Sequence, residues 1–125
     1  MKKYKVFLSA ESEEGRESFC AVAERSCGKN GDEFVFSGRD GQYRILLGER
    51  VVISRTGELA YRLTLDASEQ TQAVLQTAFG EIPVGVRAER LSVRSRGESF
   101  FLKAEYILSF PDFTQKHKIV FTAKE

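Results

Sequence analysis

The sequence has 125 residues, 42% of them hydrophobic, which is enough for one domain, residues 1–125, with a single apolar core. Its 19 Lys and Arg residues nearly balance its 18 Asp and Glu residues, and the net charge of +1 excludes a basic nucleic-acid arm and an acidic tail. One His and two Cys are too few for the familiar metal sites, so we expect neither a metal nor another cofactor.

The N-terminal segment is basic, but no long apolar run follows it. Only Val6–Leu8 are consecutively apolar there, whereas a signal peptide needs about 7–15 such residues. No window of the sequence approaches the roughly 18 apolar residues of a membrane span. We therefore expect a soluble, cytoplasmic protein with no membrane partner.

The two cysteines, Cys20 and Cys27, lie seven positions apart, at the middle of one predicted strand and just beyond its end, and an extended segment that includes both is assumed here. Such a segment separates their Cα atoms by about 23 Å. A disulfide needs Cα atoms within about 7 Å of each other. We expect two free thiols, with Cys20 buried beside Phe19 as a small hydrophobe.

Glycine-containing dipeptides typical of hairpin turns recur at intervals of roughly ten residues. The segments between them alternate apolar and polar residues, which is typical of half-buried antiparallel strands. In the best helix candidate, Ser68–Gln76, the β-branched residues Thr71 and Val74 favour a strand instead. The pattern predicts eleven strands, at residues 3–10, 17–26, 33–38, 42–47, 50–55, 59–66, 71–78, 82–87, 90–95, 99–110 and 115–123.

A meander of short strands must protect its sheet edges, and closure into a barrel removes those edges. We therefore predict an all-β fold, a single antiparallel up-and-down β-barrel of about eight to ten strands with little helix. A β-sandwich is the alternative architecture. The predicted interior is either packed with side chains or open enough for one small ligand.

Several short motifs follow one another in the second part of the chain. A strand ends in Arg55-Thr56-Gly57, an alternating strand runs to Leu65, Thr77-Ala78-Phe79-Gly80 forms a turn, and Tyr106 lies in a long strand. In this order the chain resembles, over residues 43–123, the DUF1934 family of small bacterial proteins. That family usually has Thr-Pro-Tyr-Gly at the turn, so this chain keeps the Thr, an aromatic residue and the Gly. The resemblance implies a calycin-like (lipocalin-like) β-barrel and brings with it no established function and no catalytic residues.

Arg55 shares one face of its strand with Val51 and Ile53, so its side chain points into the predicted barrel or its mouth. A buried guanidinium group needs a partner. The partner is either the acid group of a ligand, or a carboxylate or water molecule that stabilises the fold.

Four hydroxyl-bearing residues also fall on the apolar faces of their strands, where they either orient a ligand or serve as ordinary core residues. We expect aromatic side chains to fill the lower part of the barrel and any cavity to lie at one mouth, near the turns at Gly57 and Gly80. The candidate ligand-binding residues are Arg55, Thr77, Tyr106, Tyr61 and Tyr43.

No motif in the sequence supports catalysis, and nothing places His117 near a thiol. We predict a non-enzymatic binding module for a small apolar or amphiphilic molecule. One alternative is an assembly module with a filled barrel and an outer face that includes Phe101 and Ile107, which leaves a homodimer open. The second alternative is weak binding of single-stranded RNA by Arg90 and Arg94, although the near-neutral charge argues against a nucleic-acid partner.

Overall fold

The computed structural model describes residues 2–125, which form ten β-strands joined mostly by short turns. Most strands carry the alternation of apolar and polar residues that buries one face of a sheet. The strands are β1 (Lys2–Ser12), β2 (Gly15–Gly28), β3 (Gly31–Ser37), β4 (Gln42–Leu47), β5 (Val51–Arg55), β6 (Tyr61–Leu65), β7 (Thr71–Thr77), β8 (Gly80–Arg96), β9 (Ser99–Ser109) and β10 (Thr114–Lys124).

All ten strands belong to one antiparallel sheet, in the order β6-β5-β4-β3-β2-β1-β10-β9-β8-β7. The two edge strands, β6 and β7, meet at one bridge, where the backbones of Ala60 and Gln76 exchange hydrogen bonds of 3.0 and 2.8 Å. Thr71 Oγ1 also donates a hydrogen bond of 2.6 Å to the Thr64 carbonyl. The sheet is therefore a nearly closed up-and-down barrel, as predicted, and not a sandwich of two sheets.

Glycines allow neighbouring turns to pack backbone against backbone at both ends of the barrel. At one end, a Cβ atom on Gly48 would lie 2.0 Å from the Asn30 carbonyl oxygen. At the other end, a Cβ atom on Gly41 would lie 1.9 Å from the Thr56 carbonyl oxygen. Both approaches exclude any side chain, so these two turns require glycine.

Aromatic rings fill the end of the barrel that contains the Gly48 turn. Tyr4, Phe34, Phe100 and Phe121 are buried, and the Phe34 ring centroid lies 5.2 Å from that of Phe100 and 5.5 Å from that of Phe121. The Arg25 guanidinium covers this cluster, with its Cζ atom 4.9 Å from the Phe100 ring centroid. We call this end the closed end.

A hydrogen-bond network satisfies the charge of Arg25 at the closed end. Arg25 Nε donates to the Asp32 carboxylate at 3.0 Å, and Arg25 Nη1 donates to the Tyr4 hydroxyl at 3.1 Å. The Tyr4 hydroxyl in turn donates to the Glu98 carboxylate at 2.5 Å. These bonds compensate the cost of placing a guanidinium against apolar rings.

Two predictions from the sequence are wrong. Residues 82–87 and 90–95 are not separate strands, because a register shift between Ala88 and Arg90 keeps β8 paired with β9 along one continuous strand. Cys20 is exposed and not buried, because Phe19 takes the inward position and leaves its neighbour on the solvent side. Both cysteines are free thiols, as predicted.

Candidate ligand-binding site

A cavity of about 610 Å³ occupies the end of the barrel opposite the closed end. This volume lies within the usual range of small-molecule pockets. Glu14 and Phe113, which lie between strands, and Gly15, the first residue of β2, contribute to its lining at the mouth. Deeper in the barrel, the apolar part of the wall is formed by Leu8, Leu63, Leu75, Leu108 and Ile119.

One wall of the cavity carries a row of three polar side chains on neighbouring strands. Tyr43 of β4 pairs with Arg55 of β5, and Arg55 pairs with Tyr61 of β6. Directly opposed residues share one face of a sheet, so all three side chains point inward. The Arg55 Cζ atom lies 5.7 Å from the Tyr43 ring centroid, so the guanidinium rests on the face of that ring.

The Arg55 guanidinium lacks the partners that a buried charge normally has. Its Nε atom is buried without a hydrogen bond and lies 3.5 Å from the position that a Cβ atom on Gly41 would take. None of the ion pairs formed within residues 2–125 includes Arg55. An unsatisfied buried donor costs about 1–3 kcal/mol, which offsets the gain from the contact with the Tyr43 ring.

The opposite wall of the cavity is formed by β9 and β10. Tyr106 pairs with His117, and their rings stack with centroids 5.3 Å apart. His117 Nε2 lies 2.7 Å from Gln115 Oε1, and it donates this hydrogen bond in the tautomer that carries the proton there. These three side chains face the same cavity as Arg55.

Burial keeps the tyrosines and the histidine of the cavity neutral. Burial raises the pKa of Tyr61 well above its usual value and raises the pKa of Tyr106 to about 12. Burial also raises the pKa of Tyr43, against the opposing effect of the Arg55 charge. The pKa of His117 is lowered, again mainly by burial. At neutral pH the inner walls therefore offer neutral hydroxyl and imidazole groups around a positively charged guanidinium.

Four of the five residues predicted from the sequence come together at this cavity. Arg55, Tyr43, Tyr61 and Tyr106 all contribute to its lining. Their positions on inward faces were readable from the alternation in each strand, and the register of the sheet brings them to one end.

Thr77, the fifth predicted residue, does not line the cavity. Its hydroxyl donates a hydrogen bond of 2.9 Å to the Gly80 carbonyl and accepts one of 3.1 Å from the Phe79 amide. Thr77 therefore closes the turn between β7 and β8. The sequence could not show this, because the rotamer of a turn threonine depends on the local backbone.

The sequence reasoning missed His117 and Gln115 as lining residues. A signal for both exists, since they share the alternating face of Ile119 and Phe121, which are buried. Within residues 2–125 no group of three or more His, Cys, Asp or Glu side chains is placed to hold a metal ion.

The architecture defines a class of protein: an antiparallel up-and-down β-barrel with one packed end and one end that holds a cavity. A family model described as a domain of unknown function, DUF1934, matches residues 40–119, and the chain belongs to this family. The crystal structure of the ywiB protein from Bacillus subtilis is similar, with a TM-score of 0.75 and 14% sequence identity, covering 98% of this chain and 89% of that chain. At this identity the likeness shows the fold alone.

A search of curated proteins gives no match. None of the residues 2–125 belongs to a helix with the length and apolar character needed to cross a membrane.

Proposed function

We propose that this protein is a non-enzymatic binding module that takes up a small apolar or amphiphilic molecule in the cavity at the open end of its barrel. The supporting observation is the contrast between the two ends. Aromatic rings fill the closed end, whereas the other end retains a cavity of about 610 Å³ whose lining combines leucine side chains with polar and charged groups. A cavity with apolar walls and placed polar groups is typical of small-molecule sites.

The two alternative functions have weaker support. Phe101 and Ile107, the apolar residues of the proposed assembly face, are half-buried in the barrel wall. In the arginine-rich strand, Arg90 Nε lies 3.7 Å from the Glu105 carboxylate, and such neighbours reduce the positive potential that single-stranded RNA needs. We place the protein in the cytoplasm, where its two free thiols would remain reduced.

Native mass spectrometry of freshly purified protein tests the proposal. We expect a fraction of the chains to carry a small molecule, and titration with the neutral fluorescent probe N-phenylnaphthylamine to saturate at one probe per chain. The variant Leu75→Trp places an indole in the cavity and should weaken probe binding. Bare chains together with a probe that shows no saturable binding would rule out a ligand-binding function.

A further inference from the structure

We infer that the molecule bound in the cavity carries one acid group, such as a carboxylate, and that Arg55 receives this group between Tyr43 and Tyr61. The inference rests on the proposed function of the cavity and adds the chemical class of the ligand. It assigns the apolar part of the ligand to the leucine-lined interior and its acid group to the row of three residues on β4, β5 and β6.

The Nε atom of Arg55 is a buried donor without a hydrogen-bond partner. The chain places a permanent positive charge at the cavity wall, buries its Nε atom and supplies no ion-pair partner within residues 2–125. At the closed end, by contrast, Arg25 has Asp32 and Tyr4 as hydrogen-bond partners. A guanidinium presents several donors in a planar fork that matches a carboxylate, so an acid group would complete this site.

Two tyrosines, Tyr43 and Tyr61, lie on either side of Arg55 on the neighbouring strands. No hydrogen bond contributes to the pKa of either hydroxyl. Burial raises both pKa values further above neutral pH, so both hydroxyls are protonated there. Each hydroxyl is therefore able to donate to an oxygen atom held at Arg55. One cation and two neutral donors suit a singly charged acid group better than a phosphate with two charges.

Besides Arg55, four charged side chains line the cavity, namely Glu11, Glu14, Arg16 and Glu17, and all four are exposed. None of the three carboxylates forms an ion pair with Arg55 within residues 2–125. Arg16 also lines the cavity, but its Nε atom already donates a hydrogen bond of 3.3 Å to Ser9 Oγ, and its side chain is exposed. Glu17 lines the same region and adds to the raised pKa of Tyr61, yet it forms no ion pair with Arg55. Arg55 remains the cation that lies among the inner polar groups.

Two fluorescent probes with nearly the same aromatic frame test the inference. Anilinonaphthalene sulfonate carries an acid group, and N-phenylnaphthylamine does not. We expect Arg55→Gln to weaken sulfonate binding by at least about tenfold and to change binding of the neutral probe by less than about twofold. Arg55→Lys, which keeps the charge but loses the fork, should give an intermediate loss for the sulfonate.

The control variant is Arg39→Gln, which removes the same charge from an exposed position on the turn next to Gly41. It should leave the ratio of the two affinities unchanged. As a second measure, a medium-chain carboxylate should displace either probe from the unmodified protein more strongly than the primary alcohol of equal chain length, and Arg55→Gln should abolish the difference.

The outcomes distinguish failure of the proposed binding function from failure of the acid-group inference alone. If neither probe binds, the proposed function fails and the inference fails with it. If both probes bind but Arg55→Gln weakens them equally or not at all, the cavity is a binding site and the acid-group inference is wrong. A selective loss of sulfonate binding in Arg16→Gln, with no loss in Arg55→Gln, would also overturn it.

Discussion

Arg55 and Arg25 both place a guanidinium on aromatic rings inside the barrel, and they differ in what satisfies the charge. Arg25 is held by Asp32, whereas the Nε atom of Arg55 has no partner. The free energy of unfolding should therefore respond oppositely to one substitution at the two positions. Arg55→Met should raise it by about 1 kcal/mol in the ligand-free protein, since an unsatisfied donor is removed. Arg25→Met should lower it by about 1–3 kcal/mol, since Asp32 loses its partner.

Urea denaturation of the two variants beside the unmodified chain measures both effects. A drop of several kcal/mol in Arg55→Met would mean that Arg55 stabilises the barrel through contacts of its own. That result would remove the main reason for assigning Arg55 to a ligand.

The buried tyrosines of the cavity predict a loss of stability at alkaline pH. The folded-state pKa of Tyr106 is raised to about 12 from a usual value of about 10. Because the folded state keeps the proton longer than the unfolded state, the stabilisation is complete below about pH 10 and is lost as pH rises through about 12. Tyr106→Phe should flatten this decline in urea denaturation across that range. An unchanged slope in Tyr106→Phe would show that the hydroxyl is not buried in solution.

Sequence alone predicted which way most individual side chains point. Alternation placed Arg55 and Tyr106 on inward faces, because a strand with one buried side has a strict period of two. The prediction for Cys20 failed because it followed the apolar neighbour and not the alternation. Thr77 lies on an inward face, yet its hydroxyl belongs to the turn, and alternation contains no information about that rotamer.

At the scale of elements, close backbone contacts between neighbouring turns constrain how the strands are positioned relative to one another. Gly48 has no room for a Cβ atom, which would lie 2.0 Å from the Asn30 carbonyl oxygen, whereas a Cβ atom on Gly28 would meet nothing within 4 Å. We expect Gly48→Ala to lower the free energy of unfolding by about 1–3 kcal/mol, since the two turns must move apart. Gly28→Ala is the matched control and should be nearly neutral. Equal midpoints of thermal unfolding for the two variants would show that the turns separate freely.

Element boundaries were readable from turn glycines, and the exception has a physical cause. The sequence pattern predicted two strands here, at residues 82–87 and 90–95. A bulge changes the phase without ending the strand, so β8 continues along β9. Distinguishing a bulge from a turn requires the partner strand, which a single segment of sequence does not contain.

At the scale of the whole molecule, the meander produces a barrel with two different ends. Its closing seam, between β6 and β7, has one backbone bridge, at Ala60 and Gln76. Cavity-lining residues lie on both sides of this seam, with Tyr61 on β6 and Leu75 on β7. The packed end was predictable from the density of aromatic residues. The lining of the open end was only partly predictable. Alternation indicates that His117 faces inward, but its position at this end depends on the pairing of His117 with Tyr106, which the sequence of β10 does not show.

The difference between the ends predicts that one substitution has opposite effects at the two ends. Leu75 lines the cavity, whereas Leu102 is fully buried and does not. Leu75→Trp should raise the free energy of unfolding by about 1 kcal/mol, because the larger side chain enters unfilled space. Leu102→Trp should lower it by about 1–3 kcal/mol or more, because close-packed neighbours must move.

The measurement is urea denaturation of both variants without ligand, combined with the probe titration. Leu75→Trp should become more stable and bind N-phenylnaphthylamine more weakly, which ties the unfilled space to the binding function. Leu102→Trp should become less stable and, while folded, bind the probe with unchanged affinity. Loss of stability in both variants would mean that the cavity end is as tightly packed as the closed end, and the assembly function with a filled barrel would then be favoured.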